Sequence, residues 1–174
     1  MKIRKRVRAL TESLNAFTAF RIAFGIVWLI DGLIKFTYLQ PSDIVNMVQT
    51  AGQGAPSWLH PWYSFWLSSV TSQPTAVYYS IGVIEILLGL VLIVGFLRKT
   101  VYIVGALYSL MIWAVPEGFG GPYGPGSTDI GTAAVYAFVF AAMIIAERSA
   151  KYGNHSVDAL IIRKWSNWKR LSEF

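Results

Sequence analysis

Lysine and arginine are missing from two long stretches of this 174-residue chain, 36–97 and 100–147, and crowd the segments around them. Five lie within residues 2–8, two at Arg98 and Lys99, and six between Arg148 and Arg170. A chain that threads a bilayer keeps its cations in cytoplasmic loops, because charge is costly in hydrocarbon and basic loops resist translocation. With 55% hydrophobic residues, 14% charged and a mean hydropathy of +0.49, the chain is more apolar than a soluble domain, where about a quarter of residues are charged. The pattern predicts an all-α integral membrane protein with both termini and the Arg98-Lys99 turn on the cytoplasmic side. The alternation of basic clusters with apolar spans favours a membrane over a nucleic-acid-binding patch, and no nucleic acid is expected as a partner.

Crossing the hydrocarbon takes roughly 20 residues of helix. Segments at about 16–37 and 75–96 meet that need and those at 100–115 and 129–146 come close to it, which predicts a four-helix membrane bundle. A basic segment, 1–15, precedes it, outer loops occupy 38–73 and 116–128, and a tail covers 148–174. The first apolar run is too long for a signal peptide, and no small-residue cleavage site follows it. In the first outer loop, Pro41-Ser-Asp43 opens a short helix. Trp58, Trp62, Tyr63, Phe65 and Trp66 then collect in a segment too short to cross, which predicts interfacial helices at the headgroup level. His60, in the same segment, is read as structural. In the tail, Val157, Leu160, Ile161, Trp165, Trp168 and Leu171 oppose Arg163, Lys164, Lys169 and Arg170, the pattern of an amphipathic helix on an anionic leaflet, with membrane lipid as its partner.

Cysteine is absent and histidine is limited to His60 and His155. Disulfides, thiol chemistry and iron–sulfur ligation are thereby excluded, and no bound metal or haem is expected. Redox chemistry in such a chain would use a diffusible cofactor or a partner subunit.

Charges inside the spans are the strongest functional signal, since each costs about 2.5–3.5 kcal/mol at a helix centre and must face a partner or a cavity. Arg21, Gly25, Trp28, Gly32 and Lys35 share one stripe of the first span, with Asp31 one step round. Tyr78, Gly82, Glu85 and Gly89 share a stripe of the second, with Glu85 near the midplane. Glycines allow two backbones to approach. Antiparallel packing places Gly25 near Gly89 and Gly32 near Gly82. Asp31 and Lys35 stand four residues apart and are suited to an intrahelical ion pair. Glu85 has two readings: a carboxyl hydrogen-bonded to Tyr78 or Trp28, or a carboxyl poised to exchange protons with a redox ligand.

The loop after the third span, Pro116-Glu-Gly-Phe-Gly-Gly-Pro-Tyr-Gly-Pro-Gly-Ser-Thr-Asp129, is dense in glycine and proline. Ser127, Thr128 and Asp129 are cap-type residues for the fourth helix. Its N-terminal amides offer a seat for an anion, with Lys35 placed to help, although Glu117 and Asp129 would repel one. The alternative is a compact re-entrant cap over the bundle.

Arg21, Gly25, Asp31-Gly32, Lys35, Glu85, Gly89 and the run from Pro116 to Thr132 together resemble the DoxD family, the membrane subunit of archaeal and bacterial thiosulfate:quinone oxidoreductase. That family lies within the wider DoxX-like four-helix membrane proteins. The resemblance spans roughly 16–146 and excludes both tails. It implies a multi-pass plasma-membrane protein that oxidises thiosulfate to tetrathionate on the outer face and passes electrons to a quinone. A DoxA-like small subunit and the subunits of a terminal quinol oxidase are the implied partners. On this reading Glu85, Asp31 and Lys35 carry the catalysis. Substrate or quinone would meet Arg21, Trp28, Tyr78, Trp113, Glu117, Tyr123, Ser127, Thr128 and Asp129. The alternative function is a non-catalytic accessory subunit of a terminal quinol oxidase.

Overall fold

The structure, a computed structural model, describes residues 2–38, 40–121, 130–150 and 156–174, the side chains of 2–15 and 149–150 excepted. It is all-helical among those residues, with α1 (Lys2–Thr37), α2 (Pro41–Gly54), α3 (His60–Ser72), α4 (Pro74–Val94), α5 (Arg98–Ala114), α6 (Thr132–Ala150), α7 (Val157–Lys164) and α8 (Lys169–Ser172). Two segments, Ala16–Thr37 and Pro74–Val94, are long and apolar enough to cross a membrane.

The helices pair closely as α1 with α4 and as α5 with α6. In the first pair the expected register is observed. A Cβ placed on Gly25 would lie 2.9 Å from the Gly89 carbonyl oxygen, and one on Gly32 would lie 2.8 Å from that of Gly82. Backbone therefore rests on backbone, and the two helices run antiparallel. In the second pair the Phe140 ring fills the space that a side chain at Gly105 would take. The two pairs meet in one apolar cluster drawn from all four helices: Phe24, Trp28, Leu88, Leu92, Tyr102, Phe140 and Met143.

One end of the molecule, the cap, consists of α2, α3 and the turn at 118–120. A second apolar cluster, including Val48, Tyr63, Val70, Tyr78 and Val115, ties the cap to α4 and α5. Trp62 Nε1 and the Tyr63 hydroxyl both donate to the Ala114 carbonyl, each at 3.2 Å, fixing α3 over the end of α5. At the opposite end, α7 and α8 fold against the α4–α5 turn. There Gly95 takes the left-handed conformation, φ +68, that ends α4 and that glycine adopts without steric cost.

Two expectations differ from what is observed. The fourth long helix begins at Thr132, because Gly131 has φ +93 and cannot belong to a right-handed helix. The tail is also broken: Trp165 is extended, and a short turn at 166–168 separates α7 from α8. The break turns Trp168 back so that its indole N–H reaches Asp158 at 2.8 Å.

Candidate functional site

Close contact of α1 and α4 creates the central feature. Gly82 has no side chain, so the stem of Lys35 lies against it; a Cβ there would meet Lys35 Cβ at 3.3 Å. The ammonium is thus carried from the last turn of α1 to Glu85 on α4, where Nζ donates to Oε2 at 2.6 Å. A second, longer contact of 3.4 Å runs from the same nitrogen to the Asp31 carbonyl oxygen. Glu85 is buried, 3% exposed. The expected Asp31–Lys35 side-chain pairing gives way to an interhelical pair, because a carboxylate deep between helices has more to gain from the ammonium than one near water.

This pair lies at the inner end of a cavity of about 350 Å³. Its walls are largely apolar, from Ile44 and Val48 on α2, Val70 on α3, Val77 and Ile81 on α4, and Ile112 on α5, with Asp43 of α2 a further acidic residue in the lining. Met47 on α2 and Met111 on α5, both exposed, also line it, so the cavity reaches the surface beside them. Three polar atoms complicate this apolar lining. Trp66 Nε1, the Tyr78 hydroxyl and the Tyr108 hydroxyl belong to lining residues, are buried, and make no well-formed hydrogen bond among the described residues, the Tyr108 hydroxyl facing Glu85. Leaving a buried donor unsatisfied costs about 1–3 kcal/mol, so a cluster of them around one void calls for an acceptor-bearing occupant.

The expected site residues divide into groups. Glu85, Lys35 and Tyr78 are brought together in the cavity. Asp31 stands beside it, facing Tyr136 of α6. Trp28 lies behind the cavity, 1% exposed, packed on Phe24, Tyr136 and Phe140, with its ring 5.8 Å from that of Tyr108. Arg21 points toward the tail end, where Nη1 donates to the Leu92 carbonyl at 2.6 Å and so caps the end of α4. Trp113 donates from Nε1 to the Ile130 carbonyl at 2.6 Å and packs on Phe119, serving the cap loop. Tyr123, Ser127, Thr128 and Asp129 lie outside the described residues.

Glu117 sharpens the anion question. Its two carboxylate oxygens accept the Ala133 N–H at 3.1 and 3.0 Å. The N-terminus of α6, which the sequence offers to an anion, is taken by the protein's own carboxylate, and Lys35 is committed to Glu85. The cavity instead recruits two residues the sequence did not single out as ligands, Tyr108 and Trp66. Tyr108 stands among aliphatic residues of α5 with nothing in its spacing to mark it, and Trp66 reads as one ring of an interfacial belt.

A family model for DoxX matches residues 16–117, which include every residue lining the cavity. The chain belongs to the DoxX family. No curated protein and no solved structure matches it. As a DoxX family membrane protein it carries its cavity inside the matched region, whereas α6, α7 and α8 lie beyond it.

Proposed function

We propose that this DoxX protein is a DoxD-type membrane subunit of a thiosulfate:quinone oxidoreductase, built as a four-span bundle in an archaeal or bacterial plasma membrane with both termini cytoplasmic. The observation that carries this reading is the apolar cavity, edged by unsatisfied Trp66, Tyr78 and Tyr108 donors and ending at the Lys35–Glu85 pair. A quinone matches it in chemistry: a flat apolar ring whose carbonyl oxygens accept hydrogen bonds. Apolar walls with a few convergent polar groups are the usual make-up of a small-molecule site.

In this reading the quinone enters between α2 and α5, past Met47 and Met111. Tyr78, Tyr108 and Trp66 hold and orient its carbonyls. Reduction consumes two electrons and two protons per quinone. Two thiosulfates supply the electrons as a sulfur–sulfur bond joins them into tetrathionate. The ammonium of Lys35 stabilises negative charge as it develops on the nearer oxygen, and Glu85, hydrogen-bonded to that ammonium, relays protons to the site, with Asp31 behind them. Because Glu117 already satisfies the start of α6, the thiosulfate half is assigned to the outer surface shared with a DoxA-like partner.

Purified protein titrated with a short-chain quinone should show quenching of tryptophan fluorescence and thiosulfate-dependent quinone reduction. Both should be impaired in Glu85→Gln and Lys35→Met. Unchanged binding and turnover in both variants would remove the assignment. Quinone binding without thiosulfate activity, in a preparation that retains haem-copper subunits, would favour an accessory role in a terminal quinol oxidase.

A further inference from the structure

We infer that the Lys35–Glu85 site is one-sided: it exchanges protons and ligand with the cap face alone and is sealed from the tail face. The lining of the cavity is the first support. On α1 it uses only Lys35, in the last turn; on α4 only Val77, Tyr78, Ile81 and Glu85, from the cap end to just past the middle; on α5 only residues from Tyr108 onward. Glu85 and Tyr108 are therefore its deepest points, and everything shallower lies toward α2 and α3.

Tailward of that floor lies the second support. Phe24 and Trp28 from α1, Leu88 and Leu92 from α4, Tyr102 from α5, and Phe140 and Met143 from α6 form a continuous buried layer. Trp28, Leu92, Tyr102, Phe140 and Met143 are at most 1% exposed. Rings interlock within it, Phe24 against Phe140 at 5.0 Å and Trp28 against Tyr136 at 5.3 Å. Of its polar atoms, Trp28 Nε1 has no hydrogen-bond partner among the described residues and the Tyr102 hydroxyl faces Glu147 on the tail side, so the two do not link into a chain of donors and acceptors through it. Below the layer the tail-end charges begin, with Arg21 on the Leu92 carbonyl and Arg98 among carboxylates. An apolar layer this tightly packed excludes water and the protons water carries.

The electrical consequence rests on the quinone reading: both protons taken up on reduction come from the cap face, and turnover moves none across the membrane. The sidedness does not rest on it. The chain has no cysteine, so single-cysteine variants report access directly. Ser57→Cys and Ser166→Cys, both exposed, mark the cap and tail faces. In sealed proteoliposomes, a charged impermeant methanethiosulfonate should modify Ile81→Cys, Tyr108→Cys and Glu85→Cys from the face that labels Ser57→Cys. From the face that labels Ser166→Cys it should modify none of them. Met143→Cys, in the apolar layer, should stay unmodified from either face. Modification of the cavity positions from the tail face, from both faces, or from neither overturns the inference. Should Glu85→Cys fail to fold, Ile81→Cys and Tyr108→Cys, which keep the Lys35–Glu85 pair, decide it. Failure of quinone reduction with cap-face labelling intact would count against the quinone reading alone.

Discussion

Two buried charge clusters stand at opposite ends of this bundle, and they are built on opposite principles. At the tail end Arg98, 2% exposed, contacts Glu147 on α6 and lies 3.3 Å from Asp158 on α7. The Asp158 carboxylate also accepts the backbone N–H groups of Leu97 and Arg98, each at 2.9 Å, and the Trp168 indole N–H at 2.8 Å. Every lone pair of that carboxylate is engaged. At the cap end the Lys35 side chain is 19% exposed, holds one carboxylate, and borders a cavity ringed with unsatisfied donors. The Asp158 carboxylate has nothing left to offer a ligand and serves to join elements. The Arg98 Nη2 and Glu147 Oε2 atoms beside it, buried without a hydrogen bond among the described residues, take no part in lining the cap-end cavity. An unsaturated cluster beside a void has donors to spare, which is what recognition requires. The family match follows the same division: it covers the cavity and stops before Glu147 and Asp158.

The largest effect belongs to the saturated cluster. Asp158→Ala removes the carboxylate that closes the α4–α5 turn, where Leu97 holds a left-handed conformation, φ 50, and it leaves Arg98 buried with fewer partners. Breaking such a pair costs about 3–5 kcal/mol. Thermal unfolding in detergent should show a large drop and the tail should become protease-sensitive, while the folded fraction binds quinone as before. A surface-like effect, under about 0.5 kcal/mol, would erase the contrast between the two ends.

Next comes the scaffold that both ends share. On Gly89 a Cβ would lie 2.7 Å from both the Gly25 carbonyl oxygen and the Leu29 amide nitrogen, with backbone on each side and no side chain free to yield. Gly89→Ala should therefore cost about 1–3 kcal/mol as the helices separate. It should also weaken the ligand site, because Lys35 reaches Glu85 only while α1 and α4 touch. Full stability with unaltered binding would show that the close approach is dispensable.

Glu85→Gln should cost less, about 1 kcal/mol, though it also breaks a charge pair. The difference is hydration: the ammonium it orphans borders a cavity with a mouth, whereas Arg98 has no such outlet. Quinone reduction should be lost nonetheless. A stability loss as large as that of Asp158→Ala would mean the pair is a brace, and would collapse the distinction drawn between the clusters.

How far these features were legible from residue order differs with the range of the interaction. Gly25, Gly32, Gly82 and Gly89 recur at helical spacing around charges, so the α1–α4 contact and its register could be read directly. The membrane character was equally plain in the distribution of lysine and arginine. Local rules then misled: Lys35 has an acid four residues back, yet its ammonium bends to another helix and touches Asp31 only through the backbone. Arg98 reads as an exposed turn cation, and its burial depends on Asp158 and Glu147, which no periodicity links to it. Tyr108 and Trp66 became visible only once α2, α3 and α5 enclosed a void. Pairings between distant segments leave no mark in composition or spacing, and the ligand-facing half of the site is made of them.

The smallest stability effect is the most discriminating. Tyr108→Phe removes a buried hydroxyl that faces Glu85 without a well-formed hydrogen bond and leaves the ring that packs on Trp28. A structural hydroxyl, on removal, takes its hydrogen bond with it. This one faces the Glu85 carboxylate without a well-formed hydrogen bond, so the unfolding temperature should change little, within about 0.5 kcal/mol. Quinone affinity should fall by about 1 kcal/mol, roughly fivefold, because the ligand loses a donor that only the ligand satisfied. Tyr78→Phe should behave alike. The paired readout separates the two principles at a single oxygen atom: lost stability with unchanged affinity would place Tyr108 with the saturated, structural groups and leave the cavity without its deepest ligand-binding donor.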